Sequence, residues 1–257
     1  MFGFESVAAG YFVLLALSAA VASIPARAAL RGAGASAGAA ILVVVASRAL
    51  PDDPRLWLAH LYLALGYWIP SLLTPPTPLT GQTRFEAWLR QTDLAWRSCV
   101  RPLTPLAAAA LELAYLACYV VVPAAFLTVW TYGTRDQVDR FWMAVLLAGF
   151  ACYVSLPWLV SRPPRMLEEQ LPRNGVASFN VSVLRTVSHQ FNTFPSGHVA
   201  VAIATSLSVW PVSRAAAVVF GGIAAGIAVG AAIGRYHYGI DVLVGALVGV
   251  AVALGVR

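Results

Sequence analysis

The sequence predicts an all-helical, polytopic membrane bundle. Of 257 residues, 60% are hydrophobic and only 11% charged, against roughly 25% charged in soluble globular proteins. The mean hydropathy is +0.75. Set against roughly 20 apolar residues per spanning helix, the apolar runs amount to about six to eight transmembrane helices. These observations exclude a disordered tail, a collagen, a disulfide-stapled secreted domain and a cytosolic enzyme.

Along the chain the expected segments are 4–24, 33–50, 56–73, 104–131, 141–160, 196–212, 215–234 and 239–256. The first lacks a basic start and a clear small-residue cleavage site, so it reads as retained rather than as a signal peptide. The second is the weakest, being rich in Gly, Ala and Ser and closed early by Arg48. The chain divides into N-terminal membrane helices over 1–55 and a transmembrane core over 56–257. Between the third and fourth segments, Thr-Pro-Pro-Thr-Pro breaks the helix, and a short amphipathic helix follows over about 82–97. Phe85, Trp88, Leu89 and Trp96 fall on one face; Glu86, Arg90, Asp93 and Arg97 fall on the other. Glu86/Arg90 and Asp93/Arg97 are i,i+4 pairs with the acid N-terminal, and tryptophan on the apolar side suits a helix lying on the bilayer. Gly222, Gly226, Gly230 and Gly234, continued by Gly245 and Gly249, give the small-residue spacing that lets helices approach closely in lipid.

The net charge of +6 comes from 17 basic residues, all arginine. Either compositional bias or selection for bidentate anion binding gives such a chain. Cys99, Cys118 and Cys152 form no even set and read as small buried hydrophobes.

Polar residues beside apolar segments carry the chemistry, and they cluster in three places that fall on one membrane face by segment counting. Ser161-Arg162-Pro163-Pro164-Arg165 follows the fifth segment, and its prolines stiffen the corner from which the arginines leave. Phe194-Pro195-Ser196-Gly197-His198 opens the sixth. Proline suits the first helical turn, the N–H groups of Ser196, Gly197 and His198 would offer an anion site, and Gly197 has no side chain to block a phosphate. In Arg235-Tyr236-His237-Tyr238-Gly239-Ile240-Asp241, His237 and Asp241 are four apart. If the last helix begins near His237, they share a face, and the carboxylate would fix the imidazole tautomer. A nucleophilic histidine, an orienting aspartate, an acid histidine and several arginines suit phosphoryl transfer, which needs mainly positioning and charge stabilisation. No zinc-type spacing and no Walker loop occurs, so neither metal nor cofactor is expected. Glu112 inside the fourth segment needs a partner, for which a motif arginine is the candidate. His189 and Arg185 are further candidates for head-group contact, and His60 reads as a structural histidine.

Pro195-Ser196-Gly197-His198 with His237-x-x-x-Asp241 resembles the type 2 phosphatidic acid phosphatase superfamily, over roughly residues 105–256. The resemblance implies a six-helix phosphatase core, with His237 as nucleophile, Asp241 as its orienter and His198 as the acid for the leaving group. Ser196, Gly197 and nearby arginines would cradle the phosphate. Two positions depart from the family pattern. Ser155 stands where the first motif has lysine, and Ala231 stands where the third has arginine. Arg235, one helical turn along from Ala231, is expected to take over the latter role, with Arg162 or Arg165 serving the first motif. The Pro-Pro-Arg corner and the Arg-Tyr-His-Tyr run look more like the inositol phosphorylceramide synthase-like branch.

The expected function is therefore metal-free hydrolysis of a lipid phosphomonoester or diphosphate through phospho-histidine. The alternatives are transfer of a phospho-head group to a second lipid's hydroxyl, or binding or transport of a lipid phosphate without cleavage. The expected partners are the bilayer and its lipids, not nucleic acid. Counting arginines, 11 on the site side against 6 opposite, would put the site in the cytoplasm. Phosphate-binding arginines are not topology signals, however, and the resemblance implies the extracytoplasmic face of the cell membrane.

Overall fold

The computed structural model describes residues 1–21, 24–74, 83–97, 103–167, 175–188 and 194–256. These form twelve α-helices: α1 (Gly3–Ser18), α2 (Ala26–Ala49), α3 (Asp52–Trp68), α4 (Arg84–Arg97), α5 (Pro105–Leu116), α6 (Val121–Tyr132), α7 (Arg135–Tyr153), α8 (Pro164–Leu167), α9 (Gly175–Val187), α10 (Gly197–Val209), α11 (Arg214–Ile233) and α12 (Gly239–Gly255). Helix α10 is the hub, packed against α7, α11 and α12, while α1 joins the bundle through α2 and α7. Buried Trp142, Phe126 and Phe141 anchor the packing of α6 on α7. His60 packs edge-on to Trp142 and bonds the Trp57 carbonyl through Nδ1 at 3.1 Å, in the structural role expected.

Each expected apolar segment contains a helix, and among the described residues three helices, or four with a bent pair, pass as full spans by length and composition. Ala26–Ala49, Asp52–Leu73 and Arg214–Ile233 are long and apolar enough to cross a membrane. The doubtful second segment is thus one of the clearest. A fourth span results if α5 and α6 are joined across their 53° bend. That break, predicted as continuous helix, falls at a 3₁₀ turn over Ala117–Tyr119. Pro123 lies in the first turn of α6, where its missing N–H cannot extend α5's hydrogen-bond ladder. Helix α10 has 13 residues, about 20 Å at 1.5 Å per residue, short of a ~30 Å hydrocarbon core. Helix α7 ends at Tyr153, well before 160. These helices are cut short where irregular backbone lines the candidate site, and at membrane depth such backbone is tolerated only when protein buries it or it lines a cavity.

At the far end of α7 from that site, a polar network ties three helix starts. Asp139 accepts the Gly3 and Phe4 N–H groups at 2.9 Å each, capping α1. Glu5, 0% exposed, grips Arg55 through Nε at 2.8 Å and Nη2 at 2.6 Å, and Arg55 also reaches Asp52 at 2.9 Å. Removing one partner of a buried pair strands the other charge. Glu5→Ala is therefore expected to destabilise the protein by about 3 kcal/mol, read as a lowered unfolding midpoint in mild detergent; an unchanged midpoint would contradict it.

Candidate active site

Backbone hydrogen bonds stitch the three polar clusters together. The Arg165 N–H donates to the Arg235 carbonyl at 3.1 Å, and the Ser196 N–H to the Asp241 carbonyl at 3.0 Å. The Tyr238 hydroxyl donates to the Arg162 carbonyl at 3.1 Å. Ser155, at the position where the resemblance implies lysine, donates to the Phe194 carbonyl at 3.0 Å, so it holds the second loop against the end of α7.

His198 is the second residue of α10, and its ring centroid lies 6.1 Å from that of His237. His237 is buried and precedes α12 instead of sharing its face as expected, because α12 begins at Gly239. Asp241 still reaches it, with Oδ2 3.7 Å from Nδ1, close enough for attraction and longer than a hydrogen bond. The same Oδ2 accepts the Tyr238 N–H at 2.9 Å, so Asp241 both caps α12 and faces His237.

The α10 start also differs in detail from the expectation. Pro195 lies before the cap residue Ser196, outside the first turn. The Ser196 N–H is used by the Asp241 carbonyl, so it is not a free donor of that turn as expected. A Cβ on Gly197 would run into the ring of Tyr153, so glycine here serves packing against α7. The Ser196 Oγ is buried with no hydrogen-bond partner among the described residues, and so is the Arg165 Nη1.

Arg235 does not continue the face of Ala231. It has φ 63°, in the left-handed region. Its N–H bonds Ala232 at 3.3 Å and the Tyr236 N–H bonds Ala231 at 3.0 Å, the Schellman closure of a helix end. Glycine usually fills that position, since a side chain there costs roughly 1–2 kcal/mol. The guanidinium meets Asp93 on α4 at 2.7 Å. Arg162 is held likewise by Glu86, its Nε at 3.0 Å and Nη2 at 2.8 Å. Helix α4 was expected to carry these acids toward water. Instead Glu86 and Asp93 are 0% and 2% exposed, while Trp88 and Leu94 are 43% and 65% exposed. The rings of Phe85 and Trp88 close on Phe194, with centroids at 5.4 and 6.2 Å.

Arg165 stacks over the Tyr236 ring at 4.3 Å. The Tyr236 hydroxyl donates to Glu112, which also accepts from Asn180 Nδ2 at 2.5 Å. Glu112 is thus satisfied by neutral donors, not by a motif arginine, because Arg165 takes the face of Tyr236 instead. Burial pushes the Tyr236 phenol up, and its bond to Glu112 adds to the shift, which keeps it a proton donor. Tyr115 stacks on Tyr236 at 3.9 Å and meets His198 edge-on at 5.8 Å. Arg185 lies exposed on α9, apart from these contacts, and His189 lies outside the described residues.

Sequence reading missed Glu86, Asp93 and Asn180 as site neighbours and assigned no role to Tyr115 or Tyr236. The one usable signal was the spacing of Glu86 and Asp93, seven residues apart and so on one helical face.

Glycines close the assembly. A Cβ on Gly245 would strike the Ser196 carbonyl, and one on Gly249 would come within 2.5 Å of the Ala200 carbonyl. In α11, Gly226 and Gly230 face α5, whereas Gly222 meets nothing within 4 Å, so only part of the glycine series makes an interface. Gly245→Ala is expected to cost about 1–3 kcal/mol through overpacking, measured by unfolding in detergent. Gly255→Ala, whose Cβ would meet nothing within 4 Å, is the neutral comparison, and equal midpoints for both would refute the close-approach argument.

A family model described as PAP2 superfamily matches residues 83–255. No curated protein and no solved structure matches the chain.

Proposed function

This chain belongs to the PAP2 superfamily, whose phosphatases and phosphotransferases act on phosphate esters, and from that premise we propose that it is a multi-pass membrane enzyme hydrolysing a lipid phosphomonoester or diphosphate through a phospho-histidine. The observation that carries the reading is a pair of buried donors, Arg165 Nη1 and Ser196 Oγ, with no acceptor among the described residues, beside two histidine rings 6.1 Å apart. An oxyanion supplies the acceptors that those donors lack.

In this reading the phosphate sits against Arg165, Ser196, the N-terminal turn of α10 and the arginines Arg162 and Arg235, where the helix dipole favours negative charge. His237 Nε2 attacks phosphorus, a P–N bond forms, and the P–O bond to the lipid breaks. His198 protonates the departing alkoxide, or the departing phosphate of a diphosphate. Asp241, on the Nδ1 side, stabilises the positive charge that His237 acquires. Water then attacks the phospho-histidine, His198 takes its proton, and phosphate leaves with His237 restored. Lipid lies beside the apolar helices, and the site opens on the extracytoplasmic face, the side that the family resemblance supports.

Phosphate release from phosphatidic acid and undecaprenyl diphosphate by detergent-purified protein tests this. Release is expected without added metal and is expected to vanish in His237→Ala. No release from either substrate would overturn hydrolysis, leaving transfer to a second lipid's hydroxyl or binding alone. Arg235→Ala is expected to abolish turnover in a protein that still unfolds cooperatively; near-normal activity would remove Arg235 from the site.

A further inference from the structure

Arg162 and Arg235 come from different loops, yet both end on one helix. Glu86 and Asp93 lie two turns apart on α4, so their side chains leave the same face. Glu86 takes three bonds from one residue: the Arg162 backbone N–H at 2.9 Å, Nε at 3.0 Å and Nη2 at 2.8 Å. Asp93 takes Arg235 Nη2 at 2.7 Å and the N–H of Gly239, the first residue of α12, at 3.2 Å. Glu86 therefore fixes a guanidinium together with its own backbone, and Asp93 fixes one together with the start of α12. A cavity of about 30 Å³ lies between α4 and the loops, lined by Arg90, Asp93, Arg97, Arg235 and Tyr238.

A helix that merely anchors at the interface would turn its acids to water. Burying a carboxylate costs several kcal/mol unless a partner is well placed, and here two are buried, each on an arginine of the phosphate site. The matched family region starts at residue 83, one residue before α4, so the helix belongs to the same unit as the histidines.

We infer that Glu86 and Asp93 are positioning residues of the phosphate site, holding Arg162 and Arg235 in place before substrate arrives and setting the charge that the phosphate meets. This rests on the phosphatase reading for its turnover consequences. Holding each guanidinium in one geometry aims it at the charge that develops on the reacting phosphoryl group, which serves turnover and not ground-state affinity. The two carboxylates also offset the two guanidiniums, which lets product phosphate leave.

Glu86→Gln and Asp93→Asn keep shape and remove charge. In full-length protein in detergent, each is expected to lower kcat about tenfold or more and to tighten orthophosphate binding, read by calorimetry, about tenfold, because a guanidinium without its counter-charge holds an anion harder. Gln91→Ala, on the exposed side of α4, changes neither. Opposed shifts of turnover and phosphate affinity do not arise from loss of packing, which weakens both. Unchanged kcat and affinity in both variants overturns the inference, and so does weaker phosphate binding alongside lost turnover. Wild-type protein that binds no orthophosphate overturns it as well. Wild-type protein that binds orthophosphate but releases none from lipid substrates sinks the phosphatase reading instead, and the calorimetric comparison still decides the role of the two acids.

Discussion

In a chain that is 60% hydrophobic, each arginine that is not exposed among the described residues meets a carboxylate or an aromatic face, because an unpaired charge removed from water is too costly to keep. That constraint organises both ends of this bundle. At one end Glu5 and Arg55 join the starts of α1 and α3. At the other, Glu86 meets Arg162, Asp93 meets Arg235, and Tyr236 lies under Arg165. The pairs at the site end run between α4 and loops far away in sequence, so they do more than neutralise charge. They decide which loops lie next to one another.

The site is consequently made from helix ends. Helices α7, α10, α11 and α12 stop or start there, and their terminal N–H and C=O groups are satisfied by one another's loops instead of by longer helices. The bond from the Ser196 N–H to the Asp241 carbonyl brings the start of α10 to the start of α12, and with them His198 to His237. Gly245 permits that approach by leaving room for the Ser196 carbonyl. Arg235 is the strained member, held in a left-handed conformation that glycine would adopt more readily. The ion pair with Asp93 is what the strained backbone presents its side chain to. Strain of this kind concentrates where geometry serves function.

Glu112 illustrates a milder solution to the same problem. Its carboxylate is met by a phenol and an amide, and Tyr236 passes that attachment to Arg165 through its ring and to Tyr115 by stacking. Tyr115 in turn touches His198. The acid inside α5 therefore helps fix the stacked tyrosines that meet His198.

By itself the sequence determined that the chain is helical and apolar, and it marked the residues that carry chemistry: Pro195-Ser196-Gly197-His198 and His237 with Asp241 are recognisable because their types and spacing are local. It also marked where most helices lie, since apolar runs and prolines act within a few residues. Only the tertiary structure decided which way α4 turns, which acid holds which arginine, and that Arg235 leaves its helix. The reason is physical. Periodicity tells which side chains share a helical face, but in a membrane protein both lipid and protein interior accept an apolar face, so the pattern of Phe85, Trp88, Glu86 and Asp93 fits either orientation. The loops break that degeneracy, because Arg162 and Arg235 arrive where the acids can be buried as pairs. Span lengths were likewise open, since α7 and α10 end where the loop contacts of the site begin, not where hydropathy falls away.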